Sequence, residues 1–269
     1  MKKKYYIRNI IFLTMNIKLD FASLKEFLDE KHDKFNNPNF IENDPIQIPH
    51  SFNKKEDIEI SGFLAATIAW GKRSSIIASS KKMMNLMGNN PYEFVMYHSK
   101  NDLDNFTLSI HRTFNNEDLK FFVTSLKNIY ENHGGLENVL TKTENVFDNL
   151  KDFHEIFFSI PHLDRTKRHL ANVTSGSAAK RLNMFLRWMV RNDKRGVDFG
   201  IWKNISPACL YIPLDVHSGR IARLLGLLER NQNDWKAVDL LTQKLREFDH
   251  RDPIKYDFAL FGIGVNEDF

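Results

Sequence analysis

The sequence predicts an almost entirely α-helical fold, and three observations lead to that prediction. Apolar residues recur at helical spacing along most of the 269-residue chain. Glycines, prolines and short polar runs interrupt this pattern at intervals typical of helix ends. Only residues 106–114 alternate weakly between apolar and polar, as an extended segment would. The low strand content disfavours nucleotide-binding α/β architectures, and the length fits one large domain or two helical halves with a cleft.

Each predicted helix has a start or stop signal. Gly71 and Gly88 stand at C-cap positions, and Pro91 and Pro253 occupy first turns, where the missing N–H of proline costs little. A loop rich in proline and asparagine follows the first helix. In chain order, the predicted helices are 19–31, 56–70, 74–87, 91–98, 116–132, 136–150, 153–159, 164–171, 178–191, 216–228 and 252–264.

The composition excludes several classes of protein. Hydrophobic residues make up 42% of the chain and charged residues 27%, so the chain can bury a core and is not a disordered low-complexity segment. The single cysteine, Cys209, excludes an internal disulfide, a cysteine-ligated zinc finger and an iron–sulfur cluster. The formal net charge of +4 permits a polyanionic partner without requiring one.

The amino terminus does not resemble a complete targeting signal. Residues 1–14 contain a short apolar run that Arg8 and Asn9 interrupt, and no small-residue cleavage site follows it. We therefore expect 1–14 to be a disordered or spurious extension and 15–269 to form the helical domain. No run approaches the ~18 apolar residues of a transmembrane helix. These features predict a cytoplasmic protein with no membrane partner.

Several common catalytic motifs are absent from the sequence. It contains no GxxxxGK[ST], no GxGxxG and no HExxH. The 10 histidines are scattered, without convincing metal-ligand spacing, so we predict no metal site. Any chemistry must therefore come from lysine, carboxylate, histidine or hydroxyl groups.

Two segments in the last third each place a reactive side chain at the start of a helix. Ser175-Gly-Ser-Ala-Ala-Lys180 is a turn of small residues with a lysine in the first helical turn. Ile212-Pro-Leu-Asp-Val-His delivers Asp215 to the start of the next predicted helix. Taken alone, Lys180 also fits a solvated surface charge. Asp215 alone fits an ordinary N-cap, which stabilises a helix by ~1 kcal/mol.

Together, the two segments resemble the helix-hairpin-helix DNA glycosylase superfamily, which includes endonuclease III and the 8-oxoguanine glycosylases. In that superfamily a Gly-hydrophobic-Gly-x-Lys hairpin precedes a helix, and a later Val-Asp-x-His segment supplies an aspartate. Here Gly176 and Lys180 keep their separation, and Leu214-Asp-Val-His217 matches the later segment. Ala178 replaces the second glycine, which weakens the hairpin match.

The resemblance covers approximately residues 165–265. The long separation between the lysine and the aspartate is most similar to that of the archaeal 8-oxoguanine glycosylases. Residues 180–191 and 255–262 also resemble a bacterial family labelled as a domain of unknown function, which is a remote relative of these glycosylases. The first half of the chain shares only its helical character with them.

The resemblance implies a base-excision-repair DNA glycosylase with AP-lyase activity that removes 8-oxoguanine. Lys180 is the implied nucleophile, which forms a Schiff base with the sugar. Asp215 is implied to stay ionised and to stabilise the cationic transition state. Arg181, Arg187 and Arg191 are expected to surround Lys180 with positive charge. This chemistry requires no cofactor, and a monovalent cation at the hairpin is the one ion that the resemblance allows.

Base recognition is implied for the last helix and for the lysine helix. Asp257 is the implied polar reader of the flipped base, and Phe261 is an aromatic side chain one turn later on the same face. Met184, one turn after Lys180, is implied to complete a sandwich around the base. Phe261 and Met184 also fit ordinary core packing.

Duplex binding is implied for two regions. The hairpin residues Gly176 and Ser177, together with His217, correspond to phosphate contacts of the superfamily. Trp70, Lys72 and Arg73 follow a strongly apolar helix, at the place where the superfamily probes the opposite strand. Trp70 fits core packing equally well.

Arginines also cluster around the second segment. In the helix predicted at 216–228, Arg220 and Arg223 face outward, whereas Ile221, Leu224, Leu225 and Leu228 face inward. The implied partner is double-stranded DNA with a damaged base, bound by a monomer near the nucleoid. Two other functions stay open: a monofunctional glycosylase for another damaged base, and a non-catalytic nucleic-acid-binding module.

Overall fold

The chain is helical almost throughout. The structure is a computed structural model, and it describes residues 20–107 and 109–266. Within these ranges there is no β-strand, only the isolated bridges His111–Phe114 and Ser177–Asp234. The predicted all-α fold class is therefore confirmed. The predicted extension, 1–14, lies outside the described residues.

Helices α1 to α13 are numbered in chain order over the described residues. They are α1 (Phe21–Phe35), α2 (Asn39–Glu42), α3 (Lys55–Thr67), α4 (Arg73–Leu86), α5 (Pro91–Tyr97), α6 (Lys100–Asp104), α7 (Asn116–Asn132), α8 (Leu136–Leu140), α9 (Val146–Phe157), α10 (Lys180–Val190), α11 (Val216–Leu224), α12 (Trp235–Phe248) and α13 (Tyr256–Asn266). Short 3₁₀ turns lie at Pro45–Gln47, Pro49–Ser51, Asp164–His169, Val173–Ser175, Pro207–Cys209 and Pro253–Lys255. In the described part of the chain, no helix combines the length and apolar character needed to cross a bilayer.

Two clusters of buried apolar residues hold the helices together. The larger cluster joins the helices from α3 to α10, and Phe63 lies at its centre, in contact with four other phenylalanine rings. The smaller cluster joins α1 to α11, α12 and α13. Gly262 of α13 approaches α1 so closely that a Cβ there would collide with the ring of Phe35. The first and last described helices are therefore packed directly together.

Several details of the predicted elements are wrong. Helix α12 was not expected, although Val238, Leu241 and Leu245 recur at helical spacing and Asp234 caps its first turn. The region 136–150 divides into α8 and α9 because the Asn145 side chain accepts hydrogen bonds from two following amides and starts a new helix. The segment 164–171 is a 3₁₀ turn. Helix α11 ends at Leu224, whose side chain is exposed and does not face inward.

The start of α7 depends on a buried carboxylate. Asp118 is fully buried and accepts hydrogen bonds from the Asn115 amide at 3.0 Å and the Thr166 hydroxyl at 2.8 Å. Arg165 Nη1 lies 2.9 Å from it, and His169 Nε2 lies 3.2 Å away. Burial by itself raises the pKa of Asp118, but the neighbouring His169 imidazole and the hydrogen bonds from Asn115 and Thr166 outweigh it and lower the pKa to about 2.

We expect Asp118→Asn to lower the free energy of unfolding by about 2 kcal/mol at about pH 7. A carboxylate whose pKa is depressed by folding contributes stability above its unfolded pKa of about 4, and that stability is lost as the pH falls toward the folded value. Urea unfolding at about pH 7 and about pH 3 measures the difference. The exposed Asp104→Asn is the matched control. If the loss of unfolding free energy in Asp118→Asn were as large at about pH 3 as at about pH 7, that result would contradict an electrostatic origin of the stabilisation.

Candidate active site

A turn with two left-handed residues delivers Lys180 to the start of α10. Gly176 has a φ of 82° and Ala179 has a φ of 46°. The Gly176 carbonyl accepts the Trp235 amide at 3.0 Å, and the Ser177 hydroxyl accepts the Ala179 amide at 3.2 Å. The turn therefore forms although Ala178 replaces a glycine. The monovalent cation at this turn stays a prediction.

Lys180 is the first residue of α10 and is half-buried. Its Nζ lies 3.4 Å from Sδ of Met184, one turn further along the same helix. A thioether is only a weak acceptor, so this contact leaves the amine chemically available. The two side chains that the sequence placed one turn apart are thus in contact.

Asp215 caps α11 with one carboxylate oxygen. Oδ1 accepts hydrogen bonds from the amides of His217 and Ser218, both at 2.9 Å, and from the Ser218 hydroxyl at 3.1 Å. Among the described residues, no hydrogen bond falls on Oδ2. The N-cap interpretation and a chemical role are therefore compatible, because each can use a different oxygen.

Lys180 and Asp215 line one narrow pocket of about 30 Å³. Helix α10 contributes one wall, the segment before α11 a second, and α13 a third. All five residues predicted for catalysis and base binding lie around it: Lys180, Met184, Asp215, Asp257 and Phe261. Arg187, which was expected near Lys180, also lines the pocket, and sequence reasoning missed three further lining residues: Phe40, Asp44 and Pro213. Asp44 carried a signal, because an aspartate before a proline is a typical turn start, but nothing local linked it to the pocket.

Asp257 is buried in the pocket wall against Arg187. Arg187 Nη1 donates to Asp257 Oδ2, and Arg187 Nε donates to Asp198 at 3.2 Å. Burial raises the pKa of Asp257 to about 6, and Asp215 adds to that rise, while Arg187 and Lys180 oppose it. A hydrogen-bond donor that enters the pocket would therefore stabilise the ionised form of Asp257.

The model of one known protein family matches most of the chain. Residues 44–266 match the model of DUF2400, a family described as a protein of unknown function. The chain belongs to the DUF2400 family. No curated protein and no solved structure matches it. The match includes every pocket residue except Phe40, whereas α1 precedes the matched segment.

Phe261 in this DUF2400 protein lies between an arginine and two other rings. The Arg73 guanidinium carbon lies 5.1 Å from the centre of the Phe261 ring. The rings of Phe40 and His217 meet it edge-on, with centroids 6.4 Å and 6.3 Å away. Arg73, which was predicted to contact the opposite strand of the DNA, therefore lies against an aromatic side chain of the pocket wall. Lys72, the residue before it, is exposed.

Trp70 takes the packing role that was left open. Its ring contacts His111 and His169, with centroids 5.1 Å and 6.0 Å away, and the Arg181 guanidinium carbon lies 5.0 Å from the ring centre. Trp70 does not line the DUF2400 pocket. The other predicted contacts, Gly176 and His217, are exposed, and Ser177 is half-buried. These three stay predictions.

Arg187 and Arg191, which were expected to contribute positive charge around Lys180, are both paired with carboxylates. They are 3% and 1% exposed. Arg191 donates to Asp198 and Asp252, and Arg187 is held by Asp198 and Asp257. Periodicity placed both arginines on the polar face of α10, but the carboxylates that neutralise them come from other segments. Within the described chain, no group of three or more His, Cys, Asp or Glu side chains is arranged to hold a metal ion.

Proposed function

We propose that this DUF2400 protein is a DNA glycosylase with AP-lyase activity that removes the oxidised purine 8-oxoguanine. One observation carries the proposal: an amine, Lys180, and a helix-capping carboxylate, Asp215, line the same pocket as a second carboxylate and an aromatic ring. This set supplies a nucleophile, a stabiliser of positive charge and a surface for a flipped base. Such an enzyme would act on chromosomal DNA in the nucleoid.

The proposed reaction needs only side chains of this chain. The neutral Nζ of Lys180 attacks C1′ of the sugar, and the C1′–N bond breaks. The electron pair of that bond leaves with the base, which takes up the proton that Nζ loses as the new bond forms. The sugar ring then opens, O4′ takes up a proton from solvent, and a protonated imine joins Lys180 to C1′. Removal of a C2′ proton finally expels the 3′ phosphate.

Asp215 enters this reaction already oriented. Its Oδ1 is fixed by three donors at the start of α11, so the carboxylate does not need to reorganise as charge develops. In the proposed complex, Oδ2 faces the positive charge of the sugar. Phe261 and Met184 provide the surfaces against which the base stacks.

Duplex contacts complete the proposal. The exposed turn at Gly176 and Ser177 and the exposed His217 contact phosphates beside the flipped nucleotide. Lys72 and Arg73 lie at the start of α4 and approach the opposite strand. Because Arg73 also contacts Phe261, it connects the proposed contact with the opposite DNA strand to the pocket.

Borohydride trapping on an 8-oxoguanine duplex tests the proposal. We expect the wild-type protein to give a covalent adduct and Lys180→Gln to give none, because only an imine is reduced to a stable bond. The exposed Lys100→Gln is the matched control and is expected to trap normally. An adduct that persists in Lys180→Gln would contradict the assignment of the nucleophile.

Product analysis in the same experiment separates the alternatives. Base release without an adduct would identify a monofunctional glycosylase. Duplex binding without base release from a panel of damaged bases would identify a binding module. Either result overturns the proposed lyase mechanism.

A further inference from the structure

Asp44 is a buried carboxylate in the candidate pocket. It is 7% exposed, and its Oδ1 accepts a hydrogen bond from the Ile46 amide at 3.0 Å, which starts the turn Pro45–Gln47. Within the described ranges, neither a hydrogen bond nor an ion pair involves its Oδ2. A buried carboxylate oxygen is costly without a donor. The side chain that lines the pocket at this point therefore lacks a partner from the protein.

Asp257, on another wall of the pocket, is arranged in the same way. Its Oδ2 is held by Arg187, and none of the hydrogen bonds between described residues reaches its Oδ1. Burial raises the pKa of both carboxyls, and Arg187 and Lys180 oppose the rise at each of them. Each carboxyl would be stabilised in its ionised form by an N–H group of a ligand.

The donors of the pocket have other roles. Arg187 is committed to Asp198 and Asp257, and Lys180 is the nucleophile of the proposed function. The pocket therefore presents acceptors in excess, and a matching base must supply donors. A guanine-derived base has N–H bonds on N1 and on its 2-amino group, next to each other on one edge. Hypoxanthine lacks the amino group, and adenine lacks the N1 hydrogen.

We propose that Asp44 and Asp257 together select a guanine-derived base by accepting the N–H bonds of its N1 and 2-amino groups. The proposal rests on the proposed function, and it adds Asp44, from the segment after α2, as a specificity residue. Carbonyl oxygens on that edge would instead face two carboxylates and be repelled. The pocket thereby distinguishes bases by the N–H donors on this edge. Any recognition of the oxidised position of the base would use other contacts.

The test compares two duplexes that differ by one amino group. Base release is measured in single turnovers with 8-oxoguanine and with 8-oxohypoxanthine, each opposite cytosine. We expect the wild-type protein to release 8-oxohypoxanthine about 10-fold or more slowly, because a buried acceptor is left without its donor. Borohydride trapping on an abasic duplex, which contains no base to recognise, measures imine formation independently of base recognition.

Asp44→Asn changes one atom and keeps the turn. Asparagine is as good a cap as aspartate, so Oδ1 can still accept the Ile46 amide, while a donor replaces the free acceptor. We expect release of 8-oxoguanine to fall by about 10- to 100-fold, and to fall at least about 10-fold more than abasic trapping does. Asp257→Asn is the second variant and is expected to behave in the same way. Asp104→Asn, which does not line the pocket, is the control.

The outcomes separate the two proposals. Equal release of both bases by the wild-type protein, or full release of 8-oxoguanine by Asp44→Asn, overturns the selection of a guanine-derived base and leaves the lyase mechanism intact. Equal loss of release and abasic trapping in both variants, with an unchanged melting temperature, also overturns it. Neither base release nor trapping by the wild-type protein overturns the proposed function and this inference together.

Discussion

Asp215→Asn is expected to lower the rate of base release by about 10³-fold or more, with duplex affinity within a few-fold of wild type. The carboxylate has two separable tasks, because Oδ1 caps α11 and Oδ2 is left for the substrate. Asparagine retains the capping oxygen and removes the negative charge. Single-turnover release and duplex titration, on the same preparation, measure the two quantities.

A second capping aspartate supplies the control for this prediction. Asp234 starts α12 and accepts the Ala237 amide at 3.0 Å, but it does not line the pocket. Asp234→Asn should therefore retain base release. Parallel losses of release and affinity in Asp215→Asn, or an equal deficit in Asp234→Asn, would show that Asp215 is only a helix cap.

Arg187→Met is expected to lower the free energy of unfolding by about 3–5 kcal/mol. The guanidinium is buried and donates to Asp198 and Asp257, and it lies 4.3 Å from the centre of the Phe258 ring. Methionine fills part of the volume, but it leaves the buried Asp257 without its cation and leaves Asp198 with Arg191 alone. Urea denaturation at neutral pH measures the loss.

Two comparisons isolate the charge effect. Arg195→Met removes an ion pair with the exposed Asp33 and a longer one, at 3.7 Å, with Asp193, and pairs near the surface contribute about 1 kcal/mol or less. Adding Asp257→Asn to Arg187→Met should recover part of the lost stability, because one uncompensated charge is removed. A single-variant loss as small as that of Arg195→Met would contradict the buried network.

The helices were largely predictable because their signals are local. Caps, glycines and apolar periodicity lie within a few residues of each helix end, and α10 and α13 follow them closely. The predicted helices differ from the observed ones where contacts with another segment determine the local structure. Leu224 carries the apolar pattern of a buried residue, but α11 ends at that position and the side chain is exposed.

The pocket was predictable only in part. Lys180 could be paired with Asp215, and Asp257 with Phe261, because the segments around them resemble those of the glycosylase superfamily. Asp44 lies in an irregular segment, and its position beside the others depends on the tertiary packing of α3 and α10. The burial of Arg187 likewise depends on a carboxylate that is 70 positions away along the chain.

The packing of α1 against α13 has a consequence for how the protein is made. Contacts between segments that lie far apart along a chain cannot form until the later segment has been synthesised. The cluster that supports α11 and the loop bearing Asp215 therefore cannot assemble before α13 has been synthesised. A nascent chain would carry Lys180 without its aspartate partner in place. A fragment limited to residues 44–266 would likewise leave Gly262 and its apolar neighbours uncovered, and would be prone to aggregate.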